Sequence, residues 1–401
     1  PCPAAAVAVG GDDDSIAVLL ADGGVATAGG GGWRADADAA RAPLPPAWAA
    51  GGHARALVWG GLASLLVVIA LPDGGGDALV EVGVAAGTAT APVPAPAPVL
   101  ALAPAGAGGA ALVHTADGAV HEWRDGGLVG VGSLAEPSAR VWSLPSNTPS
   151  VLGLSTSGAL CAGPVVVSHR VRSACVREGG AGGPCVVVVG ADDVLRVCRA
   201  ATLAAGGLAP GALPPPPPPD EDNPAPGSLR ADMRQAMRGA GTRTTRAADA
   251  AARAVEEGSL IVACPPGSPA VILQMPRGNL ETVWPRALVL EACGAALAAR
   301  DWRRALALAS THRIDLNLIV DYAWPAFVER ASDFVAAAGD DGAVCELLGA
   351  LAPVSTLAHG AAHAWLADAD PDAGRGPPFP VDKVALAAGA VRDALAAAPG
   401  G

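Results

Sequence analysis

The feature that most constrains the fold of this chain is a hairpin unit that recurs through residues 1–200. Each copy has an apolar run, a tight turn of the Asp-Gly kind and a short second apolar run. Gly suits such a turn because it accepts the positive φ that a short hairpin loop demands. The turn residues of the five copies are Asp22, Asp73, Asp117, Ser157 and Asp192, at intervals of 51, 44, 40 and 35 residues.

A hairpin that recurs about every 40–50 residues is typical of β-propeller blades. Each blade is a small sheet that cannot cover its own faces, so several must stack around an axis. We therefore predict a partial propeller, of the WD-repeat type, in residues 1–205; an irregular β-rich domain is the alternative. The apolar run 56–71 is interpreted as two buried strands, because as a helix it would span only about 24 Å of a bilayer core of about 30 Å.

Residues 206–254 are predicted to be a low-complexity linker or insertion. Pro214 to Pro219 is an unbroken proline run, which favours an extended spacer over helix or central strand; a ligand for an SH3-type or WW-type domain is the alternative. Leu229 to Arg253 holds six arginines, but it has no aromatic residue on which a base could stack. We interpret it as a solvated segment rather than an RNA contact, and the net charge of −12 argues against polyphosphate binding by the chain as a whole.

From Pro285 onward the apolar residues follow a helical period, so residues 285–401 are predicted to form the start of an α-solenoid. Asp301 is placed to cap the second helix. The expected apolar faces are Leu288, Ala292, Ala295 and Ala299 in the first helix, Trp302, Ala305, Leu306 and Ala309 in the second, and Phe327, Ala331, Phe334 and Ala338 in the third, which starts near Pro325 and ends at Gly339. Further helices are expected at about 343–351, 354–366 and 381–398.

No motif in the sequence predicts a catalytic, cofactor-binding or metal site. Residues 130–135 fit a dinucleotide-binding pattern by letter, but Glu136-Pro137 follows at once and leaves no helix to meet a pyrophosphate. The segment 153–157 lacks the final Gly of a nucleophile elbow, so a β-turn is the simpler interpretation. We expect the protein not to be an enzyme; a hydrolase that uses Ser155 or His114 is the most distant of the alternatives.

The other residues of types that can bind metal ions are interpreted as structural or solvent-exposed residues. His359 and His363 lie four residues apart but lack the Glu of a zinc peptidase. His114 and His121 flank a hairpin turn, where solvent exposure is expected. The acidic run 12–14 lacks the spaced ligands of a calcium loop. The eight cysteines show no Cys-x-x-Cys spacing and are expected to be buried free thiols.

One stretch resembles a known family. The strings LQMPRGNLETVWPRALVL (273–290) and HRIDLNLIVDY (312–322) are similar to the propeller-to-solenoid junction of the Elongator complex protein 1 family. Residues 321–324 read Asp-Tyr-Ala-Trp where that family typically has Asp-His-Asn-Pro, so contacts of the missing His-Asn pair are not carried over. Because the chain begins at Pro1 rather than Met, we expect it to be a piece of a longer protein.

The resemblance implies a scaffold role. Elongator modifies the wobble uridine of tRNA, and its iron–sulfur, S-adenosylmethionine and acetyl-CoA chemistry belongs to a separate catalytic subunit. The family implies that the other Elongator subunits are partners, that homodimerisation and a basic tRNA-contacting region lie beyond Gly401, and that the location is mainly cytoplasmic and also nuclear. A scaffold of a vesicle-coat or ciliary-transport complex is the rival interpretation, since it would share the architecture but not the 273–290 string.

The resemblance makes residues 255–284 the propeller-to-solenoid junction. In this interpretation Pro276 and Pro285 bracket a rigid passage between sheet and helix, and Gly278 permits a backbone turn. Arg277 and Glu281 are expected to tie the two domains by a charge-assisted hydrogen bond. A solvated linker is the alternative.

Overall fold

The computed structural model describes part of the 401-residue chain, in separate ranges of residues. The described ranges are residues 4–9, 16–20, 25–28, 40–42, 53–59, 64–83, 88–105, 111–144, 151–177, 183–204, 251–322, 324–339, 341–357, 365–366 and 382–397. Several sequence predictions lie outside these residues: the acidic run 12–14, Cys2, the proline run, the Arg-rich segment before residue 251, and the pair His359 and His363.

The chain divides into two compact units, of which the first comprises residues 1–171 and 203–209. Its described strands form antiparallel sheets in which neighbours in sequence are neighbours in space. The strands are β1 (Ala4–Val9), β2 (Ile16–Leu20), β3 (Val25–Ala28) and β4 (Ala40–Ala42); β5 (His53–Trp59), β6 (Ser64–Ala70), β7 (Asp77–Gly83), β8 (Thr88–Ala89) and β9 (Val93–Pro94); β10 (Val99–Pro104), β11 (Ala111–Thr115), β12 (Ala119–Arg124) and β13 (Gly127–Ser133); and β14 (Ser138–Ser143), β15 (Val151–Ser155), β16 (Leu160–Ala162) and β17 (Val165–Ser168).

All five predicted hairpins are confirmed. They join β2 to β3, β6 to β7, β11 to β12, β15 to β16, and, in the second unit, the strands on either side of Asp192. Each hairpin supplies two inner strands of its sheet; four of these sheets have four strands, and the sheet of β6 and β7 has five because β9 also pairs with β7. Gly118 has φ +86, the left-handed value that the turn after Asp117 requires and that a residue with a Cβ resists.

Polar side chains tie neighbouring sheets of the first unit. The Val99 N–H at the start of β10 donates to Asp77 Oδ2 on β7 over 2.6 Å. Trp123 Nε1–H on β12 donates to Glu81 Oε2 on β7 over 3.0 Å. Since a buried polar group is costly unless it is paired, these contacts fix how one sheet packs on the next.

The second unit comprises residues 172–202 and 210–401. It contains a four-stranded sheet, a three-stranded sheet and helices. The strands are β18 (Val171–Arg177), β19 (Cys185–Gly190), β20 (Val194–Arg199) and β21 (Ala252–Ala254), followed by β22 (Leu260–Ala263), β23 (Val271–Gln274) and β24 (Leu280–Val283). The strand β21 pairs with β20 and consists of the last three residues of the segment 206–254, which was predicted to be a linker or insertion.

Among the α-helices whose bounds lie within the described residues, one short helix follows β20 and the others follow β24. They are α1 (Ala200–Ala204), α2 (Arg286–Ala298), α3 (Trp302–His312), α4 (Asn317–Asp321), α5 (Trp324–Glu329), α6 (Ala331–Ala338), α7 (Asp341–Ala350) and α8 (Lys383–Ala397). Asp301 caps α3 as predicted, because its Oδ1 accepts from the Arg304 N–H over 3.0 Å. The predicted face of α3 is buried at Trp302, Ala305, Leu306 and Ala309.

Three helix predictions need correction. The residues of α2 from Ala287 to Gly294 are all buried whereas Ala299 is exposed, because sheet and helices pack around α2 and leave no single apolar stripe. The helix predicted from Pro325 is two helices that break at Arg330, although Phe327 and Phe334 are buried and Gly339 ends it at φ +75, as expected. Residues 354–357 are a turn rather than the start of a helix.

The fold class predicted from the sequence, β-propeller blades followed by an α-helical solenoid, is confirmed by these sheets and helices. The apolar run 56–71 lies in β5 and β6, as predicted. In the part of the chain that the structure describes, no helix combines the length and the apolar character needed to cross a membrane.

Candidate functional site

The candidate site is the joint at which the sheets of the second unit meet the solenoid. Only Trp284 and Pro285 separate β24 from α2. One continuous core runs from the strands into the helices, and it includes Val187 of β19, Leu273 of β23 and Leu288 of α2. Apolar packing of this kind is dense and resists bending. Packing across this passage from sheet to helix opposes bending between β24 and α2.

A buried ion pair links the four-stranded sheet to the first solenoid helix. Arg177 Nη1, at the end of β18, donates to Glu291 Oε2, in the middle of α2, over 3.1 Å. The two side chains are only 8% and 4% exposed. A buried charge is tolerated when an opposite charge and hydrogen bonds compensate its lost hydration. This pair therefore fixes the position of α2 on the sheet, because sliding either element would strand a charge in the core.

Cys185 of β19 completes this polar cluster. Its Sγ lies 3.4 Å from Glu291 Oε2, so the thiol donates to the same carboxylate. Burial, together with the negative charge of Glu291, raises the pKa of the Cys185 thiol. The thiol therefore remains protonated and serves as a weak donor and packing group rather than as a nucleophile.

The other cysteines fit the predicted free thiols only in part. Cys161, Cys185 and Cys293 are buried, whereas Cys175, Cys198 and Cys264 are half-buried and Cys345 is exposed. Burial raises the pKa of Cys198 and of Cys293 to about 12. The described cysteines are all free, and the described residues contain no group of three or more His, Cys, Asp or Glu side chains that could hold a metal ion.

The predicted tie between Arg277 and Glu281 is wrong. Residues 275–279 form the turn of the β23–β24 hairpin, and Glu281 lies in β24. The Gly278 N–H donates to the Met275 carbonyl over 2.9 Å, and Gly278 has φ +86. Turn side chains point into solvent, so Arg277 is 83% exposed and lies 3.5 Å from Glu256 of the same unit. The turn predicted at Gly278 is confirmed, but the charged tie between sheet and helix is Arg177 with Glu291.

A second buried polar network holds the C-terminal helix of the solenoid. Lys383, the sole lysine of the chain, starts α8 and forms an ion pair with Asp321 of α4. Its Nζ also donates to Asn317 Oδ1 over 3.3 Å. Asp321 Oδ2 accepts from the Thr356 N–H over 2.6 Å, so the same carboxylate fixes the turn at 354–357. The network ties three segments of the solenoid that are far apart in sequence.

An aromatic cluster fills the space between the first solenoid helices. Trp302 of α3 meets Phe327 of α5 edge-on at a centroid distance of 5.9 Å, and it meets Phe334 of α6 at 6.2 Å. The two phenylalanine rings lie 5.2 Å apart. Edge-to-face contacts are favoured because the positive rim of one ring meets the negative face of another. The predicted packing role of this region is confirmed by these rings.

Among the described residues, no hydrogen bond joins Ser155 to His114, the two residues considered for a hydrolase. Residues 130–133 lie in strand β13, and residues 134–137, which follow it, are not helical. Ser155 lies in β15, and its Oγ accepts from the Ala159 N–H over 2.9 Å, as a turn residue does. Its hydroxyl also lies 2.7 Å from Ser157 Oγ.

The expected solvent exposure of His114 is wrong. His114 is fully buried, because the start of β14 covers it. Its Nε2 accepts from the Ser138 N–H over 3.0 Å, which fixes the tautomer so that Nδ1–H donates to the Ala119 carbonyl over 3.0 Å. The imidazole is thus a neutral tie between two sheets. Burial lowers the pKa of His114, against smaller opposing effects of the Ala119 carbonyl and Asp117.

We expect the first unit to lose stability as the pH falls below about 6.5, the usual histidine pKa of an unfolded chain. The folded state resists protonation of His114 and the unfolded state does not, so acid favours unfolding, by at most about 1.4 kcal/mol for each pH unit. Replacing His114 with Gln should remove this loss between pH 7 and pH 5.5. The measurement is hydrogen exchange of the amides of β11 and β14 in the 401-residue chain at several pH values, corrected for the intrinsic pH dependence of exchange, because it reports the first unit separately.

The matched control is His169→Gln, since His169 is 68% exposed. This variant should keep the pH dependence of the unaltered chain. An unchanged pH dependence in His114→Gln would contradict the assignment of a neutral buried imidazole.

Sequence reasoning missed the polar residues of the joint and of the solenoid network. Arg177 and Glu291 are 114 positions apart, so no local pattern relates them. One signal was present: Glu291 interrupts an otherwise apolar helix, and an isolated charge in such a helix indicates a buried partner. Lys383 gave a similar signal of a specific role, because it is the sole lysine in a chain whose other basic residues, apart from histidine, are arginines.

Comparison with known proteins bears on the same part of the chain. The sequence profile of a family described as ELP1 alpha-solenoid matches residues 286–358, which contain α2 to α7. Elongator complex protein 1 of Schizosaccharomyces pombe is 45% identical over 87 residues, or 22% of this chain and 7% of that protein. The Arabidopsis thaliana protein of the same name is 52% identical over 67 residues, or 16% of this chain and 5% of its own length. The resemblance noted in the sequence is thereby confirmed over this segment, which spans only a small part of these relatives.

Solved structures give more distant likenesses. The Dos1 propeller is 12% identical with a TM-score of 0.35, and the match covers 48% of this chain and 55% of that one. The C-terminal WD40 domain of Sif2 is 15% identical with a TM-score of 0.34, and covers 51% of this chain and 57% of its own. These likenesses are too distant to add to the description of the fold.

Proposed function

We propose that this chain forms part of a non-catalytic scaffold subunit of Elongator, because its residues 286–358 match the ELP1 alpha-solenoid. In this role it supports modification of the wobble uridine of tRNA by holding the catalytic subunit and the other Elongator subunits. The family match is the observation that carries the proposal, and relatives named Elongator complex protein 1 in fungi, plants and animals support it.

The joint supports a scaffold role on physical grounds. A scaffold must keep its binding surfaces at fixed relative positions, and a flexible connection would let those positions vary. Here one core runs from sheet to helix, and the buried pair of Arg177 and Glu291 penalises any sliding between them. The joint can therefore orient bound subunits without taking part in chemistry. We propose a mainly cytoplasmic location, and also a nuclear one, as the resemblance implies.

The test is affinity purification of the protein that contains this sequence, tagged in the cells that make it. We expect the Elongator catalytic subunit to copurify. A Glu291→Ala variant should lower its recovery severalfold, because the joint loses its fixed geometry, whereas Asp333→Asn, which alters an exposed ion pair of α6, should not. Recovery of vesicle-coat or ciliary-transport subunits without the Elongator catalytic subunit would overturn the proposal.

A further inference from the structure

A small cavity opens beside the joint, on the second unit. Its volume is about 180 Å³, and it lies between the outer strand of the four-stranded sheet and the start of α2. It is lined by Ala252 and Arg253 of β21, by Leu195, and by Trp284, Pro285 and Arg286. Drug-sized ligands usually occupy pockets of at least about 300 Å³. The size therefore suits a single amino-acid side chain.

The cavity carries positive charge. Within the described ranges, no carboxylate forms an ion pair with Arg253 or Arg286. The guanidinium of Arg286 is held in place, since it donates to the carbonyls of His312 and Arg313 over 3.4 Å and 3.2 Å. Burial, and to a smaller extent the charge of Arg286, lower the pKa of His312, which lies at the same surface. On a chain of net charge −12, two guanidinium groups at one cavity that form no ion pair with any described carboxylate favour an acidic ligand.

The walls of the cavity offer two further contacts. Trp284 is 47% exposed, and its ring lies 5.9 Å from that of His312. An exposed tryptophan with a fixed neighbour is a good apolar anchor for a partner. The strand β21 is an outer strand: it pairs with β20, and none of the described strands pairs with its other side. An open strand edge offers backbone N–H and C=O groups that another polypeptide can pair with.

We propose that this surface binds an extended acidic peptide segment of a protein partner. The backbone of the segment pairs with the outer edge of β21, a Glu or Asp side chain enters the cavity between Arg253 and Arg286, and an adjacent apolar side chain packs on Trp284. A strand edge and a cavity the size of one side chain favour a peptide over a nucleic acid, which would need a larger pocket for its base. The proposal goes beyond the scaffold role and does not depend on Elongator.

The experiment measures binding of a fluorescein-labelled peptide, Ser-Thr-Val-Glu-Val-Thr-Ser, to the 401-residue chain by fluorescence anisotropy. We expect saturable binding. Arg253→Gln and Arg286→Gln should each raise the Kd about tenfold or more, since each removes one charge-assisted hydrogen bond to the carboxylate. The matched control is Arg303→Gln, which removes an exposed arginine of α3 and should leave the Kd unchanged.

A second arm does not alter the protein and so is independent of variant folding. The same peptide with Gln in place of Glu should bind the unaltered chain about tenfold more weakly. Bound peptide should also raise the pKa of His312, followed through its imidazole proton signals, because the carboxylate offsets the charge of Arg286.

Three outcomes would overturn the proposal. The first is an absence of saturable binding. The second is equal binding of the Glu and Gln peptides by the unaltered chain. The third is tighter, arginine-dependent binding of a labelled oligonucleotide of twelve uridines, which would make the surface a nucleic-acid site. Because the binding is measured on the chain alone, failure of the Elongator purification would leave this result standing, and the reverse also holds.

Discussion

Glu291→Ala is expected to lower the free energy of unfolding of the second unit by about 3–5 kcal/mol, the usual cost of stranding one member of a buried ion pair. The substitution leaves the Arg177 guanidinium in the core without a carboxylate, and it also removes the acceptor of the Cys185 thiol. The measurement is hydrogen exchange of the amides of β19 and α2 in increasing denaturant. Exchange reports these elements separately from the first unit, whereas a single melting curve of the chain would mix the two.

Two variants show whether this loss comes from the stranded charge. The double variant Arg177→Met with Glu291→Met removes both charges and fills the space, so it should be close to the unaltered chain in stability or above it. Asp333→Asn breaks an exposed pair of 3.6 Å and should change stability by less than about 1 kcal/mol. A loss below about 1 kcal/mol in Glu291→Ala would show that the pair does not hold the joint.

The second large effect is expected at Lys383. Asp321→Asn keeps an oxygen for the Thr356 N–H but removes the charge that balances Lys383, which is only 4% exposed. The stranded ammonium should favour opening of α8, again by about 3–5 kcal/mol. Because Lys383 is the sole lysine, an amine-reactive reagent modifies no other side-chain amine in the chain. We expect its labelling rate, read by mass spectrometry, to rise by about two to three and a half orders of magnitude.

The control for this labelling is Asp393→Asn, which removes the partner of Arg392 on the exposed side of α8. Labelling of Lys383 in this variant should match that of the unaltered chain. If Lys383 in the unaltered chain reacts as fast as in a denatured sample, the ion pair with Asp321 does not keep it buried and the network has no role in docking α8.

The local features of the fold could be predicted from the sequence. The hairpin at Asp117 was predictable because the glycine that follows defines its turn, and the start of α3 because Asp301 supplies its own cap. Such signals act over a few residues and hold whatever surrounds them. The turn at Gly278 belongs to the same class.

The tertiary features could not be predicted in this way. Exposure was expected for His114 because it lies next to a turn, but β14, which follows it by 24 positions, covers the ring. Arg277 and Glu281 are close in sequence and of opposite charge, which favoured a tie between them. Arg277 in the hairpin turn and Glu281 in β24 are instead both exposed to solvent. The residue that pairs with Glu291 depends on how a sheet and a helix pack, and a local pattern carries no information on that.

The late position of β21 has a consequence for the order in which the second unit assembles. During synthesis the strands β18 to β20 leave the ribosome first, but their fourth partner follows only after residues 200–251. The entropic cost of pairing two strands across an intervening segment grows slowly, by about 0.6 kcal/mol for each doubling of the segment's length. The separation of β20 from β21 therefore costs little in the finished fold, but the sheet keeps an unpaired edge until Ala252 has been synthesised. Since β22 to β24 and α2 follow within a few tens of residues, closure of the sheet and docking of the first solenoid helix become nearly simultaneous events.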